Sequence, residues 1–123
     1  MRIRGIRGAT TVEEDTKEAI LEATRELLQK ILEVNGIEDF DEIGAMIFTL
    51  TDDLRAAFPA EAARQLGMQR VPLINSREIP VPGALPKVIR VMVLWNTELP
   101  QNQVRHVYLR KAVVLRPDLE SAQ

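Results

Sequence analysis

The chain has 123 residues, 46% hydrophobic and 28% charged, a balance that fits one globular domain over residues 1–123 and excludes a fibrous or disordered chain. Sixteen basic and 18 acidic residues leave a formal net charge of -2, so no basic footprint recruits nucleic acid or anionic lipid, and neither is expected as a partner. Cysteine is absent and His106 is the single histidine, which removes disulfides, thiolate nucleophiles and multi-histidine metal sites from consideration; no metal or other cofactor is expected.

The opening MRIRGIRGATTV interleaves apolar residues with Arg2, Arg4 and Arg7 and predicts a first strand. Gly5 and Gly8 within it mark a bulge or a close approach of another backbone or a ligand. DTKEAILEATRELLQKILEVNG predicts an amphipathic helix: Asp15 caps it, Glu18 stands three residues on, and Gly36 closes it. Ile20, Ala23, Leu27, Ile31 and Val34 recur at spacings of three and four as its apolar stripe. After a polar turn over Glu38 to Glu42, GAMIFTLT (44–51) reads as a buried strand. A short helix runs from Pro59 to Gly67, and Val71 to Asn75 is a third strand. Pro80, Pro82, Gly83 and Pro86 make a rigid loop. A long strand follows over Lys87 to Thr97, a fifth over Val104 to Leu109, and a mobile tail over 117–123.

This β-α-β-α-β-β-β order predicts an α+β fold, a mixed β-sheet with helices on one face. A strand as apolar as Val88 to Trp95 needs its other face covered as well, which predicts a closed homo-oligomer. The apolar stretches, such as Val91 to Trp95, are too short to span a membrane, and the N-terminus has no apolar signal region; a soluble, cytoplasmic protein is expected.

Of the 16 basic residues, 12 are arginine. Arginine binds carboxylate or phosphate through a planar fork, so this bias fits either surface salt bridges or an anionic small molecule. Arg90 interrupts the apolar run VIRVMV, where a charge must face solvent, a partner or a polar ligand. Glu78 is either that partner or an exposed loop acid, and Tyr108 is either core or a hydroxyl donor to an anion. His106, with no nucleophile paired to it, reads as structural. Ser76 sits in no G-x-S-x-G elbow, and no P-loop, GxGxxG or HExxH occurs. From the residues alone the reading ends at an arginine-rich, oligomeric domain for an anion.

Taken together, RGIRGATTVEEDT (4–16), FPAEAAR (58–64), Val71–Pro72 with Glu78, IRV (89–91) and RHVYLRKAVVLRPDL (105–119) resemble, in order and spacing, the monofunctional chorismate mutases of the AroH class. The resemblance spans nearly the whole chain. It implies a homotrimer whose three mixed sheets form a pseudo-barrel with active sites in the subunit clefts, and a Claisen rearrangement of chorismate to prephenate in phenylalanine and tyrosine biosynthesis. It also implies roles. Arg7 and Tyr108 hold the side-chain carboxylate, Arg90 reaches that carboxylate and the ether oxygen, and Glu78 accepts from the ring hydroxyl. Phe58, Ala60, Arg64, Leu73, Ile74 and Asn75 line the cleft from the adjacent subunit, with Leu115 and Arg116 near its mouth. The chain departs from the family pattern at Asn75, where members carry a small Cys or Ser, and at Glu61, where some carry Lys. Two other classes compete on topology and charge: trimeric enamine or imine deaminases, and a non-catalytic trimer that binds a dicarboxylate.

Overall fold

The computed structural model describes residues 1–116; the expected mobile tail over 117–123 lies outside them. In chain order the elements are β1 (Arg2–Thr11), α1 (Lys17–Asn35), β2 (Ile43–Leu50), α2 (Ala60–Gln65), β3 (Leu73–Arg77), β4 (Val88–Thr97) and β5 (Val107–Tyr108), with 3-10 turns at Phe40–Glu42, Gln101–Gln103 and Arg110–Leu115. The strands form one sheet in the order β3-β2-β4-β1-β5. β4 runs antiparallel to both of its neighbours, β1 and β2, while the edge strands β3 and β5 run parallel to β2 and β1. The mixed sheet and the α+β class are as expected.

α1 forms because its apolar residues recur at the helical period and its ends are capped. Ile20, Ala23, Leu27 and Ile31 are buried along one side, and Gly36 takes the left-handed conformation (φ 67°) that ends the helix. The N-cap is Thr16, whose hydroxyl accepts from the Ala19 N–H at 3.1 Å, and not Asp15. Asp15 instead accepts from the N–H groups of Arg55 and Ala56 at 2.8 and 2.9 Å, so its carboxylate ties the loop after β2 to the start of α1.

Leu27, Leu28 and Ile31 of α1 pack with Ile6 of β1, Phe48 of β2 and Val91 and Val93 of β4 in the main core. A side-chain carbon at Gly8 would lie 2.7 Å from Ile31 Cδ1 and 3.0 Å from Val91 Cγ1, so what comes close at Gly8 is neither a backbone nor a ligand but core side chains. β1 pairs with β4 without a bulge; the irregularity falls in β2, between Ile43 and Ala45. Along β4, Ile89, Val91, Val93 and Trp95 are buried while Arg90, Met92, Leu94 and Asn96 are half-buried, because the helices cover only the first of these two faces.

Two strands differ from expectation. β3 begins at Leu73, two residues late, because Pro72 has no N–H to offer the ladder; its carbonyl still accepts from Met46, and pairing then runs through Arg77. β5 is reduced to Val107–Tyr108 because side chains take over the hydrogen bonds a longer strand would make. Asn35 accepts from the Arg105 N–H at 2.8 Å and donates to its carbonyl at 3.0 Å. His106 Nδ1 accepts from the Arg7 N–H at 2.9 Å. The Arg110–Leu115 turn that follows β5 was not anticipated.

His106 is thus structural. Burial of the ring, followed by the nearby Arg7 charge, holds its pKa below the ordinary histidine value. The unfolded chain therefore takes up this proton at a higher pH than the folded one. The stability supplied by the neutral ring is fully present above the ordinary value of about 6.5 and is lost as the pH falls through the lowered folded value. His106→Asn keeps an acceptor and removes the titration. The stability advantage of the parent over this variant, from urea unfolding at pH 7.5, 6.0 and 5.0, should shrink as the pH falls; a constant difference would contradict the account.

Candidate active site

The helix-free face of the sheet is where polar side chains gather. In-register partners on adjacent strands share a face, and one row crosses all five strands: Ser76 on β3, Thr49 on β2, Arg90 on β4, Ala9 on β1 and Tyr108 on β5. Two residues along, on the same face, Ile47, Met92 and Arg7 make the next row. Ala9 presents only a methyl group between the long side chains of Arg90 and Tyr108. A cavity of about 200 Å³ opens there, its lining including Arg7, Ala9, Thr49, Glu78, Arg90 and Tyr108. Two wider surface hollows, of about 500 and 560 Å³, gather no comparable set; their arginines, Arg70, Arg25 and Arg110, are engaged by Asp41, Gln65 and Glu26.

Arg90 is held by an ion pair, its Nε lying 3.3 Å from Glu78 Oε2. Both side chains are only partly covered, 36% and 26% exposed, so the pair faces the open cavity and is not sealed in the core. Glu78 follows β3 directly, and its N–H donates to the Leu50 carbonyl at 2.8 Å, which continues the β2–β3 ladder and aims the residue toward β4. The alternatives left open for these two residues therefore close: they are ion-pair partners that line one cavity. Tyr108 joins them, and burial raises its pKa against the opposing pull of Arg7 and Arg90. Its hydroxyl stays protonated at neutral pH and is available as a donor.

What this constellation can do is bind an anion through two guanidiniums and a phenol while a carboxylate accepts from a hydroxyl.

The remaining predicted residues lie elsewhere on the protomer. Phe58, before α2, is 68% exposed, and Ile74 on edge strand β3 is 59% exposed. Arg64 is exposed in the last turn of α2, Leu73 is half-buried and Asn75 is exposed. Ala60 has no exposed surface, and its N–H donates to Asn75 Oδ1 at 3.2 Å. Glu61 is engaged by Lys17 at 3.6 Å. Leu115 and Arg116 close the last 3-10 turn, outside the cavity lining. Sequence reasoning missed Ala9, Ile47, Thr49 and Met92. Their one local signal is alternation, which places Arg7 with Ala9, Arg90 with Met92 and Ile47 with Thr49.

The family model for chorismate mutase type I matches residues 3–119. A chorismate mutase AroH of Thermus thermophilus is 71% identical over 121 residues, covering 98% of this chain and 99% of that protein. The chorismate mutase AroH of Bacillus subtilis (strain 168) is 55% identical over 120 residues, covering 97% and 94%. The solved structure of a chorismate mutase from Clostridium thermocellum superposes with a TM-score of 0.88 at 49% identity, covering 90% of this chain and 98% of that one. With the match running through both the sheet and the cavity it carries, the chain belongs to the chorismate mutase type I family and is a chorismate mutase, an isomerase.

Proposed function

We propose that the enzyme rearranges chorismate to prephenate, toward phenylalanine and tyrosine, by holding one compact conformer of the substrate and stabilising the charge that develops as its ether bond breaks. The observation that carries this mechanism is the convergence of Arg7, Arg90, Tyr108 and Glu78 on one cavity. Chorismate offers two carboxylates, an ether oxygen and a ring hydroxyl, and these four groups complement it. Arg7 and Tyr108 take the side-chain carboxylate, Tyr108 as the protonated donor that its raised pKa favours. Arg90 bridges that carboxylate and the ether oxygen. Glu78 accepts from the ring hydroxyl on the allylic fragment, where positive charge grows.

In the Claisen step the C–O bond breaks as a C–C bond forms within a single molecule. No proton is transferred and no covalent intermediate arises. The protein's tasks are conformer selection and a cation placed in advance at the developing negative charge. An acceleration of about 10⁶ amounts to about 8 kcal/mol, within reach of those two effects together.

The active assembly in this reading is a homotrimer whose sheets form a pseudo-barrel, with each cleft shared by two subunits. A cavity of about 200 Å³ falls short of the roughly 300–1,000 Å³ of most small-molecule sites, which supports a half-site completed by another copy. The completing surface is the α2–β3 edge: Phe58, Arg64, Leu73, Ile74 and Asn75, where Phe58 and Ile74 are exposed apolar residues in need of a partner. Asn75 would present its amide NH₂, since its oxygen is taken by the Ala60 N–H. Ala60, fully covered, would act by holding Asn75, and Leu115 and Arg116 would stand at the cleft mouth. The reading places the enzyme in the cytoplasm; among the described residues no helix is long and apolar enough to cross a membrane.

Two outcomes test this account. Arg90→Ala should lower kcat by roughly 3 kcal/mol or more in activation free energy while the protein stays folded, and Arg90→Lys should recover only part of it, because one ammonium cannot serve carboxylate and ether in the same geometry. Chorismate turnover followed by loss of its ultraviolet absorbance, with circular dichroism for folding, makes the measurement; near-parental kcat in Arg90→Ala defeats the role. For the shared cleft, Arg90→Ala and Arg64→Glu subunits are refolded separately and as an equal mixture. Random closed trimers contain about one cleft in four built from two unmutated faces, so the mixture should regain up to roughly a quarter of parental activity. Subunit exchange confirmed by native mass spectrometry without such a gain rejects the shared cleft.

A further inference from the structure

Thr49 enters neither the family-derived roles nor the candidate residues taken from the sequence, yet it lines the cavity. It lies on β2, with Arg90 as its partner on one side and Ser76 on the other. Its hydroxyl donates to Glu78 Oε2, the same oxygen that pairs with Arg90 Nε. The nearby Thr51 makes an instructive contrast. Its hydroxyl donates to Asp53 and accepts from the Val88 N–H at 3.0 Å, so it serves the turn after β2. Thr49 serves Glu78 inside the cavity.

We propose that Thr49 is a positioning residue for the rearrangement, its hydroxyl fixing the Glu78 carboxylate in the orientation that meets the substrate hydroxyl. The inference rests on the role given to Glu78 above. A glutamate has three side-chain torsions, and the backbone tether of Glu78 to Leu50 leaves all three open. The ion pair to Arg90 restrains the carboxylate in distance. Thr49 adds a hydrogen-bond donor on the oxygen that faces Arg90, from a side chain that is itself stiff, being β-branched and seated in a central strand. A hydrogen bond from β2 and an ion pair from β4 then hold the carboxylate before substrate arrives. Arg90 gains too, because the counter-charge that orients its guanidinium no longer swings.

The test is a double-mutant cycle on the assembled enzyme. Thr49→Val removes the hydroxyl and keeps the branch, and should lower kcat/KM roughly tenfold, the scale of one hydrogen bond to a charged group. Thr49→Ser, which restores a hydroxyl, should recover most of that loss. In a Glu78→Ala background, adding Thr49→Val should cost less than about twofold, because a residue that acts through Glu78 has nothing left to position. Should Val prove incompatible with folding, by circular dichroism melting, Thr49→Ala gives the same cycle. Parental kcat/KM in folded Thr49→Val, or an equal loss in both backgrounds, overturns the inference and leaves the Glu78 role standing. Near-parental activity in Glu78→Ala alone overturns that role, and the inference with it.

Discussion

Arg90 sits on β4, the middle strand of the sheet, and a permanent positive charge there has to be answered by something within reach. Much of the site follows from how it is answered. Glu78 supplies the counter-charge at 3.3 Å, which requires β3 to run parallel beside β2 and deliver the residue after its last strand position toward β4. Ala9, across from Arg90 on β1, is small enough to leave a cavity beside the guanidinium where a larger residue would fill it. Tyr108 reaches the same cavity because β5, although only two residues long, pairs with β1 at Gly8 and Ala9.

The two faces of the sheet divide the labour. One is sealed by α1 and carries the apolar core, with Gly8 allowing the helix to sit almost on the backbone of β1. The other, free of helix among the described residues, carries the row of Thr49, Arg90 and Tyr108. This separation lets a chain of 123 residues hold a rigid floor beneath a site that stays open for a ligand and, in the proposed assembly, for a second copy. Rigidity matters more than reactivity for a rearrangement within one molecule. The hydrogen bonds that shape the site accordingly run through fixed groups: the His106 ring to the backbone of Arg7, and the Thr49 hydroxyl to Glu78.

What was legible in the sequence tracks the range of the interactions involved. α1 and β4 were readable because periodicity is local: the stripe from Ile20 to Ile31 and the run Val88 to Thr97 identify themselves. Arg90 was conspicuous for the same reason, as a charge inside an apolar run. The cap was misassigned by one residue because Asp15 and Thr16 are both good N-caps, and only the distant loop at Arg55 and Ala56 decides which is free to serve. β5 was overestimated because the side chains of Asn35 and His106, and not a continued ladder, bond the backbone of Arg105 and of Arg7. Ala9 and Thr49 were invisible for a stronger reason. Their importance is a matter of register across strands 40 or more residues apart in the chain, which no single segment records. Family resemblance named the four central residues, but by its nature it carried known roles and not the supporting ones.

The central claim is that this protein accelerates the reaction by binding the rearranging geometry more tightly than the substrate, with Arg90 and its neighbours supplying the difference. The direct measurement is the dissociation constant of a rigid bicyclic ether dicarboxylate, shaped like the half-formed product, across single substitutions at Arg7, Glu78, Arg90 and Tyr108. Plotted logarithmically against KM/kcat for the same variants, those constants should fall on a line of slope near one, as transition-state complementarity requires. A slope near zero, with catalysis lost and affinity for the mimic kept, would contradict it.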